Sequence, residues 1–283
     1  MKKIILTGSS GFVGQNLLAY LKFDFALVKI NRNQLNNLTI GQLSNCEAVI
    51  HLAGKAHDLK KASDPEEYYQ VNYELTKQLY DAFLNSDAKK FIFISTVKAA
   101  ADSVNGTLTE EHQPDPKTDY GKSKLMAEQY IQTQVLPAGK SYYILRPCMI
   151  HGPGNKGNLN LLYKFVQKGI PYPLAAFENR RSFLSVENLC FVIQQLLKKE
   201  VPSGVYQIAD DEAISTSQVV EILAQASNKK PKLWKISSGL IKGFAKLGDL
   251  LKLPLNSERL QKLTESYVVS NEKIKSALNV ELP

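Results

Sequence analysis

Eight residues near the start, Thr7-Gly8-Ser9-Ser10-Gly11-Phe12-Val13-Gly14, constrain this chain more than any other stretch. They join a short β-rich apolar run, KKIILT (2–7), to FVGQNLLAYLK, whose apolar residues Val13, Leu17, Leu18 and Leu21 share one helical side. In such a turn Gly8 permits the tight bend, Gly11 lets a pyrophosphate approach the backbone, and Gly14 lets helix and strand pack closely. The helix start then offers free N–H groups from Ser10 to Val13 and a positive dipole end. A glycine triplet alone says little; one set between strand and helix at the head of an alternating series points to a dinucleotide.

The alternation is present. ALVKI (26–30), AVIHLA (48–53), FIFIST (91–96) and SYYILRP (141–147) are strand-like, with helical patterns between them. Asp64-Pro65 places a cap before proline at a first turn, and Tyr69, Asn72, Tyr73, Thr76, Leu79 and Tyr80 follow at helical spacing. A further helix is expected from Asp119 to Val135. The implied class is α/β, with a parallel sheet covered on both faces. GPGNKGN (152–158) marks the break between lobes. Beyond it we expect helices at 159–168, 186–199 and 216–226, a strand VYQIAD (205–210), and a wholly helical stretch from Lys229 to near Leu278.

Composition narrows the class further. With 283 residues the chain can bury a full core, and a length of about 150 residues per domain suggests two lobes. No apolar run approaches the ~18 residues of a membrane span, and the apolar start MKKIILTG is too short for a signal peptide. Cys46, Cys148 and Cys190 are far apart and never CxxC, which suits a reducing cytoplasm. His51, His57, His112 and His151 show no zinc-ligand spacing, so no metal is expected. The net charge is +8, but residues 1–150 hold 17 basic and 15 acidic side chains against 18 and 12 in 151–283. The excess gathers in 229–252, and with only Arg32, Arg146, Arg180, Arg181 and Arg259 as arginines a nucleic-acid footprint is not expected.

Two sites carry chemistry. The second strand ends Ile30-Asn31-Arg32, where an acid would grip the ribose 2′-hydroxyl of NAD; Arg32 instead suits a 2′-phosphate, so NADP is favoured over NAD. Tyr120 and Lys124 lie one helical turn apart on one side. A phenol with a pKa near ~10 must drop by roughly three units to exchange protons at neutral pH, worth about 4 kcal/mol. One lysine in water supplies about 1 kcal/mol, so the pair works only in a sheltered cleft. Thr96, at the tip of FIFIST, can point a hydroxyl into it.

Together, TGSSGFVG, VIHLAG (49–54), Asn72, FISTVK (93–98), YGKSK and RPCMIHGPG (146–154) resemble the extended short-chain dehydrogenase/reductase family, NAD-dependent epimerase/dehydratase type. The resemblance spans essentially the whole chain, loosest in the last 50 residues. It implies a doubly wound Rossmann domain (1–155 plus about 183–209) and a smaller, mostly helical lobe (about 156–182 plus 210–283) for nucleotide-sugars, commonly UDP-linked. By position Tyr120 is the acid/base, Lys124 holds the nicotinamide ribose and tunes it, and Thr96 bonds the reacting sugar oxygen. Leu52, Ala53, Gly54, Asn72 and Pro147 would line the cofactor cleft, with Lys55 and Val97 beside the sugar. Asn158-Leu159 and Arg181 resemble the residues that meet the diphosphate, and homodimers are common.

Departures from the family pattern matter. Dehydratases follow the threonine with Asp-Glu; here Val97-Lys98 stands, so 4,6-dehydration is not expected. Cys148 reads as a packed residue and His51 as an interior histidine. Two activities at C4 remain: a 4-epimerase with tightly held NAD, and a 4-keto-reductase of a UDP-6-deoxy-N-acetylhexosamine using NADPH, toward which Arg32 leans. A dinucleotide-sensing protein without catalysis is the alternative of another class, opposed by the intact Tyr/Lys pair. From Leu240 to Lys252 the chain is amphipathic, with Leu240, Phe244, Leu247 and Leu251 on one face and Lys242, Lys246 and Asp249 on the other. It reads as a lobe helix with a solvated polar face, or as a helix resting on an anionic membrane.

Overall fold

A computed structural model describes residues 1–55, 64–155, 158–251 and 256–282. Six strands form one parallel sheet in the spatial order Ala26–Ile30, Lys3–Thr7, Ala48–His51, Lys90–Ile94, Ser141–Pro147 and Gly204–Ile208. The chain leaves the first strand toward one edge and returns on its other side. That reversal opens a crevice at the carboxyl ends of Lys3–Thr7 and Ala48–His51.

Both sheet faces are covered, as the apolar runs required. On one side the helices Phe12–Leu21 and Val186–Lys198 pack against Ile4, Leu6, Ile50 and Leu145; on the other Leu75–Leu84 and Asp119–Thr133 cover Ile5, Val49, Phe91 and Ile144. The edge strand Ala26–Ile30 departs from the rule: only Ile30 is buried, because its outer edge has no neighbour. The Asp64 cap accepts from the Glu66 N–H at 3.0 Å and Pro65 opens the helix, as expected. Gln70–Glu74 then widens into a π turn carrying Asn72, a deformation common at functional sites.

The second half corrects two expectations. A separate core of Val166, Tyr172, Leu174, Val220, Ala224, Ile241, Ala245 and Leu260 defines the smaller lobe. The lobe does not run to the end of the chain, because Val269, Ile274 and Leu278 join the core of the main sheet. Nor is the chain wholly helical beyond Lys229. Leu233 and Lys235 make bridges to Tyr172 and Leu174, and Val268–Val269 pairs with Thr107–Leu108. Pro231 removes a donor, and the β-branched pair at 268–269 favours extension.

Candidate active site

The glycine turn is built as its spacing demands. Gly8 adopts φ +69°, and a Cβ there would lie 2.5 Å from the Ala53 nitrogen. A Cβ on Gly14 would lie 2.4 Å from the Gly8 carbonyl oxygen. The turn therefore sits flush against both the following helix and the loop after the third strand. Gly11 is the N-cap of Phe12–Leu21; no side chain caps that end and no acid lies in its first turn. Phe12 and Val13 turn their side chains to the core, leaving backbone N–H groups for an anion.

A cleft of about 690 Å³ opens over this turn, lined by Gly8, Ser10, Gly11, Asn31, Arg32, Leu52, Ala53, Gly54 and Lys55. Its far wall, from Glu67, Gln70, Val71 and Leu75, was not foreseen; those positions carry only a helical pattern in the sequence. The uncapped helix start and the absence of Cβ atoms at the turn fit a dinucleotide's pyrophosphate. Asn31 caps the short helix Arg32–Asn36, its Oδ1 accepting from Gln34 N–H at 2.9 Å, while Arg32 stays exposed on the rim.

A chain of neutral hydrogen bonds ties the cleft floor together. Thr76 Oγ1 donates to the Asn72 carbonyl (2.7 Å) and so accepts from His51 Nε2–H (3.0 Å). The His51 Nδ1 atom is then the acceptor for the Thr7 hydroxyl (2.7 Å), whose oxygen in turn accepts from Ala53 N–H (3.2 Å). Burial holds the His51 pKa down at about 3, with Lys124 adding to the effect. His51 is a satisfied interior histidine, as its sequence context suggested.

The helix Asp119–Thr133 starts at a Thr118 cap, whose hydroxyl accepts from Gly121 N–H. Tyr120 lies in its first turn, beside the Thr96 hydroxyl, and meets the Tyr68 ring edge-on at 6.2 Å. Burial pushes its pKa up, and the Thr96 hydroxyl opposes this. One turn on, Lys124 is 5% exposed, donates to the Ile94 carbonyl at 2.9 Å and sits 4.6 Å above the Phe93 ring. Desolvation lowers its pKa to about 8, against the pull of Glu128. A Cβ on Gly54 would fall 3.1 Å from Lys124 Nζ and 3.0 Å from Asn72 Oδ1. Gly54, which also lines the cleft, thus stands between it and Lys124.

Asn72 works as a clamp. Its Oδ1 accepts from Lys55 N–H at 2.8 Å, and its Nδ2 donates to the Lys55 carbonyl (3.2 Å) and to Ser123 Oγ (3.1 Å). Beneath Lys124 lies a pair that sequence reading missed. Glu128 is fully buried, accepts from Arg146 Nε and Nη2 in a bidentate bridge, and also takes the Ser95 hydroxyl. Glu128 stands four residues after Lys124, so an acid on the buried face of that helix was the available signal.

Val97, Pro147, Leu159 and Arg181 are not among the residues that line this cleft. Val97 packs its side chain into the core and Pro147 is buried at a strand end. Cys148 is buried with its thiol pKa pushed up, as expected of a packed residue. Leu159 is half-buried in the lobe helix; the Asn158 side chain lies outside the described residues, as does His57. Arg181 donates through Nε to the Glu265 carbonyl at 3.1 Å and through Nη2 to that of Lys262, closing the end of the helix Ser257–Thr264.

The model of the NAD dependent epimerase/dehydratase family matches residues 4–209. A UDP-glucose 4-epimerase of Vibrio cholerae is 32% identical over 269 residues, 87% of this chain and 82% of the relative. N-acetyl-alpha-D-glucosaminyl-diphospho-ditrans,octacis-undecaprenol 4-epimerase of Escherichia coli O157:H7 is 31% identical, covering 80% and 73%. The fold is shared with the crystal structure of UDP-N-acetylglucosamine 4-epimerase from Bacillus cereus (TM-score 0.76, 23% identity, 100% of this chain and 92% of that one).

Proposed function

Since the chain belongs to the NAD dependent epimerase/dehydratase family and is an NAD(P)-dependent enzyme of that type, we propose that it acts at C4 of a nucleotide-linked hexose or N-acetylhexosamine. The favoured reading is 4-epimerisation. The two relatives above that exceed 30% identity are both 4-epimerases, one of a UDP-sugar and one of a diphosphopolyprenol-linked sugar. The single observation that supports the C4 chemistry is that Tyr120 lies beside Thr96 while Lys124, one helical turn on, lies against Gly54 of the cleft wall.

A bound nicotinamide would accept and return hydride; the residues of this chain handle the proton and the geometry. Backbone N–H groups at the start of Phe12–Leu21 would hold the pyrophosphate, and the clamped loop at Ala53–Lys55 would shape the adjoining wall. Tyr120, as the phenolate that the Lys124 ammonium favours, would take the proton of a sugar hydroxyl to become the phenol and would give that proton back when hydride returns. Thr96, beside Tyr120, would share the sugar oxygen. No carboxylate follows Thr96, since Val97 is buried and Lys98 donates to the Asp102 carbonyl; elimination of water therefore lacks its acid and base.

A second reading, 4-keto-reduction with exchangeable NADPH, is favoured by Arg32 on the cleft rim, where a guanidinium would meet a 2′-phosphate. Mass spectrometry of the dinucleotide that copurifies, followed by turnover assays, separates the two. Retained NAD with interconversion of UDP-hexoses or UDP-N-acetylhexosamines supports epimerisation. Exchangeable NADPH consumed stoichiometrically with a 4-keto sugar supports reduction, and dinucleotide binding without turnover of either substrate overturns both.

A further inference from the structure

The smaller lobe carries an apolar surface that its own fold leaves uncovered. Helix Ser238–Leu251 buries Ile241, Ala245 and Gly248, the small and medium residues of its sequence. Its large ones face out: Leu240 is 61% exposed, Phe244 65%, Leu247 47%, Leu250 78% and Leu251 57%. At about 100° per residue these five occupy one arc of roughly 120°, and Lys242 and Lys246 lie in the arc beside it. Just before the helix, Trp234, the chain's single tryptophan, is 57% exposed. Lys229, Lys230, Lys232 and Lys235 are exposed in the same approach. The one acid of the stretch, Asp249, is taken up by Ser257, whose N–H and hydroxyl donate to it at 2.9 and 2.5 Å.

We infer that this face rests on an anionic bilayer surface, with Phe244 and the leucines at the acyl boundary and the lysines among the headgroups. An exposed apolar stripe bordered by unopposed lysines carries both attractions that stable interfacial binding requires. A second copy of this chain fits less well, because an antiparallel two-fold contact would set lysine flank against lysine flank. No helix among the described residues is long and apolar enough to cross a membrane, so the contact is with the surface. The inference does not depend on which sugar reaction the cleft performs.

Flotation of the full-length protein with phosphatidylglycerol/phosphatidylethanolamine vesicles, against phosphatidylcholine vesicles, tests it. The protein is expected to float with the anionic vesicles at low salt and to stay at the bottom with phosphatidylcholine. Phe244→Glu with Leu247→Glu should abolish flotation. Lys242→Gln with Lys246→Gln should weaken it roughly thirtyfold, at ~1 kcal/mol per lysine. Turnover in solution and the melting curve should be unchanged in both. Protein left at the bottom with anionic vesicles at low salt overturns the inference, as does flotation undiminished by the glutamates. Concentration-dependent dimers dissolved by the same glutamates, without flotation of the parent, would assign the face to self-association.

Discussion

Around Tyr120, side chains that ordinarily seek water are buried; along Ser238–Leu251, side chains that ordinarily avoid it are exposed. At the first site every displaced group has a partner: Lys124 has the Ile94 carbonyl and the Phe93 ring, Glu128 has Arg146 and Ser95, and Asn72 has Lys55 and Ser123. At the second, Leu240, Phe244 and Leu250 have none within the lobe's core. The contrast teaches where to look for function. Buried polarity that is fully satisfied is pre-organised for chemistry inside the molecule, whereas exposed apolar surface points to something outside it.

The strongest way to break this comparison is at the phenol. Tyr120→Phe removes the only proton the site can relay from that position, and kcat is expected to fall by about 10²–10⁴-fold while the melting temperature holds. Turnover that survives intact would displace Tyr120 from the chemistry. Next is the buried pair. Glu128→Leu leaves Arg146 charged and unpartnered, which should cost about 3–5 kcal/mol in denaturant titration, and a joint Glu128→Leu/Arg146→Met change should recover much of it. Equal loss in the single and double variants would mean the pair is not coupled. Gly14→Ala forces a Cβ against the Gly8 carbonyl, for an expected loss of about 1–3 kcal/mol together with weaker dinucleotide binding by calorimetry.

Acidity and alkalinity sharpen the same contrast. With its pKa lowered to about 8, Lys124 loses its charge as pH rises past that point, so kcat should decline above about pH 8. Stability should move the other way: the unfolded lysine keeps its proton to near the ordinary lysine value of 10.5, so unfolding binds a proton and stability rises between about 8 and 10.5. Opposite slopes of rate and stability in that window would identify a buried lysine; parallel slopes would not. The smallest effect belongs to the exposed helix, where Phe244→Ser should alter stability by less than about 0.5 kcal/mol, read from a melt. A larger loss would show that Phe244 is packed after all.

Much of the first region was legible in the sequence because its signals are local. The glycine spacing fixed a strand, a bend and a helix in register, and Tyr120 and Lys124 share a helical face at any packing. Glu128 was missed because its partner, Arg146, lies on a strand 18 residues away and meets it only in the folded sheet. The clamp role of Asn72 was hidden for a similar reason: it depends on Ser123, 51 residues on. Arg181 shows the converse. Its guanidinium chemistry is plain in the sequence, yet the helix end it closes is set by Lys262 and Glu265, more than 80 residues away.

What the amino-acid order determined alone was the period of each segment: alternating strands and helices, a phosphate-sized turn, and an amphipathic stripe over 240–252. Only the tertiary structure decided which way that stripe faces and where the tail belongs. Periodicity defines a helix's two sides but not which one meets a neighbour. Here the neighbour, the lobe core around Val220 and Ala224, takes the narrow side bearing Ile241, Ala245 and Gly248, because small residues let the helix approach closely and the bulky side is left over.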